Sequence, residues 1–154
     1  MIRAEARYVL DTNLFIEAFR DQSANVALQR FHEGFAPFEY LSAVVVQELR
    51  AGTRSRADLR KLDRNVLDPF IDIGRLVTPS FRAWQMSGDV LARLAQSERR
   101  NLGTVTKAFG NDILLALSCR EAGLTLVTHN THDFARIQRV VPFRFVAPWP
   151  TPAR

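Results

Sequence analysis

Tyr8-Val-Leu-Asp11-Thr12-Asn13-Leu14-Phe15 joins an apolar run, a turn and the start of a helical pattern within eight residues. Arg7 to Leu10 reads as a strand, and Asp11-Thr12-Asn13 is a turn and helix N-cap sequence. Leu14, Phe15, Ala18 and Phe19 then recur at helical spacing. The same handover repeats along the chain. Phe38 to Leu41 reads as a second strand, and Ser42 as the cap of a helix over 43–50 that Gly52 ends. Leu124 to Thr128 is the clearest strand, and Phe143 to Val146 the last. Alternating strands and helices predict an α/β domain with a mostly parallel central sheet between helical layers, an α/β/α sandwich.

Between these strands lie further helical stretches. Val26, Arg30 and Phe31 mark an amphipathic piece that stops near Gly34 and Pro37. Leu59, Leu62 and Val66 form a stripe after the cap Ser55, beside a row of Arg56, Arg60 and Arg64, and Pro69 is expected to stop that helix. Residues 71–77 read as a short extended piece. Ser80 opens a long helix expected to bury Trp84, Leu91, Leu94 and Ala95. Residues 101–107 read as a polar connection, after which Asn111 and Asp112 open an apolar helix over 113–122 closed by Gly123. A single domain over 1–154 is expected, with irregular tails near 1–6 and 148–154.

Composition narrows the classes. The chain has 154 residues, 47% hydrophobic and 24% charged, ordinary for a globular domain and wrong for a disordered one. Cys119 is the only cysteine, which excludes an intrachain disulfide and suits a reducing, cytoplasmic setting. No run is long and uncharged enough to span a membrane, and the first residues lack a signal-like apolar stretch. The formal charge of +5 is almost all arginine, since Lys61 and Lys107 are the only lysines. That balance favours a polyanionic partner, although arginine-rich surfaces also arise without one.

The informative residues are acidic. Asp11, Glu48, Asp112 and Asp133 each sit at a strand-to-helix handover or in the helix that follows. In an open parallel sheet those positions share the rim at the carboxyl ends of the strands. Converging carboxylates repel one another unless a hard cation offsets their charge. A cluster of oxygen ligands without thiolate points to Mg²⁺ or Mn²⁺ and to phosphodiester chemistry. Each residue also has a plain reading. Asp11 and Asp133 make ordinary helix caps, Asp112 suits a first helical turn, and Glu48 suits a solvated face.

Tyr8 to Ile16 resembles the opening of the PIN-domain family. Leu41-Ser42 to Glu48-Leu49, Asn111-Asp112 to Ala116, and Thr128-His129-Asn130-Thr131-His132-Asp133-Phe134 resemble its later motifs, in order and over nearly the whole chain. The size and layout are most similar to VapC-like toxins of toxin–antitoxin pairs. The resemblance implies a metal-dependent endoribonuclease, using Mg²⁺ or as substitute Mn²⁺, that acts on RNA, forms a homodimer and is neutralised by a small antitoxin. It implies Asp11, Asp112 and Glu48 as metal ligands and Asp133 as a further site residue. Thr12, Asn13, Ser42, Thr128 and Asn130 are then supporting residues, with Asn130 standing where many relatives carry an acid.

Rival readings stay open at this point. His129 and His132 invite zinc, but no cysteine lies near them, and exposure or RNA contact suits them better. Cys119 reads as a buried small hydrophobe rather than a nucleophile. Trp149 is expected to cover a surface groove or meet a partner. An aspartyl-phosphate phosphatase would need a second acid where Asn13 stands. A catalytically idle RNA- or protein-binding module of the same fold is the remaining alternative.

Overall fold

The computed structural model describes residues 6–98 and 105–151. Part of the expected connection at 101–107, and most of the expected tails, therefore lie outside the described residues. β1 (Tyr8–Leu10), β2 (Glu39–Ser42), β3 (Leu76–Val77), β4 (Thr125–Val127) and β5 (Arg144–Val146) form one sheet in the order β3-β2-β1-β4-β5. All four pairings are parallel; Tyr8 lies opposite Glu39 on one side and Thr125 on the other. The central strands are buried along their length, Val9, Leu10, Leu126 and Val127 being at most 1% exposed. That is why β1 and β4 read as continuous apolar runs rather than alternating ones.

The helices are α1 (Thr12–Arg20), α2 (Gln22–Phe35), α3 (Ala43–Ala51), α4 (Arg56–Leu62), α5 (Asp68–Asp72), α6 (Phe81–Ser97), α7 (Lys107–Ala122) and α8 (Thr131–Gln138). α7 is the central one. Ile113 to Cys119 is buried without interruption, so this middle part of α7 is covered on all sides, while Lys107, Arg120 and Glu121 at its ends are exposed. Gly123 closes it in the left-handed conformation with φ of 68°.

Five expectations need correction. Pro69 does not stop a helix: α4 runs through a π-helical segment, Asp63–Leu67, into α5, with Pro69 in the first turn of α5. A wider turn tolerates the missing amide hydrogen and the ring. The extended piece expected over 71–77 thus shrinks to Leu76–Val77. α7 begins at Lys107, capped by Thr106, so Asp112 lies past its first turn and the helix dipole does not account for it. Trp84 is 59% exposed; α6 buries Ala83, Ser87, Val90 and Leu94, a stripe rotated from the expected one. Trp149 packs inward, its ring 5.2 Å from that of Phe31.

One acid–histidine pair joins β2 to α2. Glu39, 2% exposed at the start of β2, meets His32 Nδ1 of α2 through Oε2 at 2.5 Å. Its Oε1 has no hydrogen-bond partner among the described residues. His32→Ala is expected to destabilise the fold by about 2–3 kcal/mol in urea unfolding, because it strips a buried carboxyl of its partner. An unchanged midpoint would show that the pair is dispensable.

Candidate active site

In the strand order β3-β2-β1-β4-β5, the chain winds outward in opposite directions from β1 and β4. A crevice opens at such a reversal, outside the carboxyl ends of the strands. Asp11 follows β1 there and Thr128 follows β4. The Asp11 amide donates to the Val127 carbonyl at 3.0 Å, and Thr128 Oγ1 donates to Asp11 Oδ2 at 2.7 Å. Asp11 Oδ1 accepts from the Thr12 amide at 2.8 Å as the N-cap of α1. The carboxylate is 5% exposed and still held by two donors. Burial raises its pKa, while the bonds from Thr128 and Thr12 and the nearby His129 work the other way.

Thr12 turns the other way. Its hydroxyl donates to Glu48 Oε1 at 2.9 Å, so residues 11 and 12 tie β1 to α3. Ser42, fully buried, caps α3 by accepting from the Val44 amide at 3.1 Å, which fixes the helix that carries Glu48. Asn13 is exposed in α1. Its side chain has no hydrogen-bond partner among the described residues, unlike the other supporting residues named from the sequence.

Asp112 faces these groups from α7. Its pKa is raised to about 8, first by burial and then by the charges of Asp11, Glu48 and Asp133. The four acidic residues spread along the sequence are thus one electrostatic unit in space. Asn130, the N-cap of α8, links the remaining two: its Nδ2 donates to Asp133 Oδ2 at 3.2 Å and approaches Asp112 Oδ2 at 3.5 Å. Asp133 therefore lies in the first turn of a helix that begins at Thr131 and is not itself the cap.

Arg136 was not singled out in the sequence, although Asp133 and Arg136 stand three apart on one helix, a spacing that signals contact. Its Nη1 donates to Asp133 Oδ1 at 3.1 Å. The guanidinium also forks onto Glu98 of the α6 end and lies 4.4 Å over the Phe109 ring. Both oxygens of Asp133 are thereby engaged by protein donors. A cavity of about 140 Å³ lies beside this network, between α6, α7 and α8.

The donor set suits a hard divalent cation: every group is an oxygen, and among the described residues no basic side chain offsets the repulsion at Asp112. Among the described residues no three acidic, histidine or cysteine side chains stand close enough to ligate one ion jointly. One or two direct carboxylates with water completing an octahedron is the arrangement this spacing favours. Zinc has no such support: His129 pairs with Glu17 at 3.3 Å, both half exposed, and His132 is exposed. Burial pushes the Cys119 thiol up to about 12, which makes it inert.

The family model described as PIN domain matches residues 8–140. The chain belongs to the PIN-domain family. Solved structures share the whole architecture of this PIN domain. DNA-bound VapBC from Salmonella typhimurium matches at 23% identity and TM-score 0.66, covering 92% of this chain and 98% of that one. VapBC2 from Rickettsia felis, bound to a promoter DNA fragment, matches at 23% identity and TM-score 0.60, with 93% and 98% covered. FitAcB from Neisseria gonorrhoeae matches at 20% identity and TM-score 0.63, with 94% and 99% covered. At these identities the likeness establishes the shared fold. A search of curated proteins finds no match.

Proposed function

We propose that this PIN domain is a Mg²⁺- or Mn²⁺-dependent endoribonuclease and the toxin of a toxin–antitoxin pair. The observation that carries the reading is the burial of Asp112 against the charges of Asp11, Glu48 and Asp133, which raises its pKa to about 8. Unneutralised carboxylates at such a crevice cost stability and have a use when a cation binds there. A bound cation supplies an activated water near neutral pH and offsets charge on the phosphoryl oxygens.

The chain's own residues set the geometry. Thr128 and the Thr12 amide fix Asp11, and Thr12 fixes Glu48. Asp11 and Asp112 would hold the cation directly, and Glu48, which does not join them as a third ligand, would accept a proton from the attacking water. Asp133 acts through water, since Asn130 and Arg136 occupy its oxygens. The VapBC and FitAcB complexes, whose folds this one shares, support an antitoxin partner. An arginine from such a partner would suit a pocket of carboxylates. Phe81, 80% exposed, and Trp84, three residues on in α6, offer a face for the proposed homodimer.

The test is cleavage of single-stranded RNA with and without Mn²⁺, for wild type and Asp11→Asn. Wild type is expected to cleave only with metal, and Asp11→Asn to lose at least about a hundredfold in rate while staying folded. Metal-independent cleavage, or full activity in the variant, would remove the assigned site. Expression of wild type without its partner is expected to arrest bacterial growth, and that of Asp11→Asn is not. Equal harmlessness would leave a nuclease without the toxin role.

A further inference from the structure

A second groove shares Glu48 with the site. It has a volume of about 450 Å³ and lies between the end of α1, the end of α3 and the helix that begins with α4. Glu48, whose Oε1 is held by Thr12, is one of its lining residues. Arg20 of α1 and Lys61 of α4 both line it, and both are exposed. Neither makes an ion pair among the described residues, in contrast to Arg50 and Arg136, which do. Phe19, 57% exposed, stands between this groove and the adjoining one, with no packing reason for its exposure.

These are the parts of a single-strand track. Free cations bind a phosphate backbone by releasing its counterions, and an exposed ring stacks any base without reading its identity. Among the described residues, Asp58 is the one acidic lining residue besides Glu48, and its Oδ2 accepts from the Arg54 amide at 3.4 Å. Exposed Arg56, Arg60 and Arg64 add positive charge along the same helical stretch. A protein helix docking here would leave Arg20 and Lys61 to find acids of its own, whereas a polyanion answers both cations and the ring together.

We infer that the groove between α1 and α4 is the path by which a single-stranded RNA reaches Glu48, with Arg20 and Lys61 on its phosphates and Phe19 stacked on a base. The inference rests on the ribonuclease reading for its substrate but on the groove alone for its geometry. It identifies the determinants of substrate binding outside the carboxylate cluster.

The test measures binding and chemistry separately. Binding of a fluorescein-labelled single-stranded RNA of about a dozen nucleotides is followed by anisotropy in Ca²⁺ for wild type, Arg20→Gln/Lys61→Gln and Phe19→Leu. Hydrolysis of bis-p-nitrophenyl phosphate with Mn²⁺ reports the cluster without the track. The charge variant is expected to bind about tenfold or more weaker, with a salt dependence shallower by about one unit of slope per removed charge. Phe19→Leu is expected to lose about fivefold or more with its salt slope unchanged. Diester hydrolysis and the circular dichroism spectrum should match wild type in both variants. Unchanged RNA affinity in both variants, or no RNA binding by wild type, overturns the track; the first result would assign the groove to a protein partner instead. If RNA binding falls as expected while wild type cleaves neither substrate, the track stands and the nuclease reading fails.

Discussion

Asp112→Asn is expected to abolish metal-dependent RNA cleavage, by at least about a hundredfold, and at the same time to stabilise the metal-free protein near neutral pH. The two effects share a cause. Asp112 is held above its ordinary pKa, at about 8, by burial and by three like charges. Between about pH 4 and that value the folded state keeps a proton that the unfolded chain has released. Stability of wild type in EDTA should therefore fall as pH rises through this window. The asparagine carries no titrating proton, so the slope should flatten and the variant should be the more stable by on the order of 1–3 kcal/mol at pH 8. This is well below what the full shift implies, because water reaches the cluster and screens it. Urea titrations in EDTA at pH 5 and pH 8 check it. Equal slopes for the two proteins would show that Asp112 is not repelled by its neighbours.

Asp133→Asn should act differently. Asp133 carries charge to the cluster, but Asn130 and Arg136 hold both its oxygens, so its loss removes no direct metal ligand in the arrangement proposed. Apparent Mn²⁺ affinity is expected to weaken about ten- to a hundredfold, with much of the rate recovered at excess metal. Asp112→Asn should not be recovered that way, which separates the two roles. Asn130→Ala removes the link between Asp133 and Asp112 and is expected to shift the metal titration less. A titration unmoved by Asp133→Asn would leave Asp11, Glu48 and Asp112 as the whole acidic cluster.

The local signals of this chain survive folding wherever a single element decides them. The apolar runs around Val9 and Leu126 become buried parallel strands, and Asp11, Ser42 and Ser80 cap helices as their types predict, because strand burial and capping depend on near neighbours in sequence. Asp11, Glu48 and Asp133 were legible as well, because they follow β1, β2 and β4, whose ends a parallel sheet brings to one rim, whereas Asp112 rides on α7, which follows the helix α6 and reaches the rim by packing.

What failed was decided by packing between elements. Trp84 fits a helical stripe as well as Ser87 and Val90 do, but only the face that meets α7 is buried, and sequence periodicity cannot orient a helix against a neighbour still unplaced. Pro69 lies within helical structure because the π turn before it absorbs the lost hydrogen bond, a local energy that tertiary contacts outweigh. Arg136 is invisible as a site residue until α6 brings Glu98 and α7 brings Phe109 to it. Sequence alone thus determined which residues carry charge to the rim and which elements deliver them. Only the tertiary structure decided which oxygens are already occupied, where Asp112 meets its repelling neighbours, and which cations are left free beside Glu48, since these depend on distances across elements far apart in the chain.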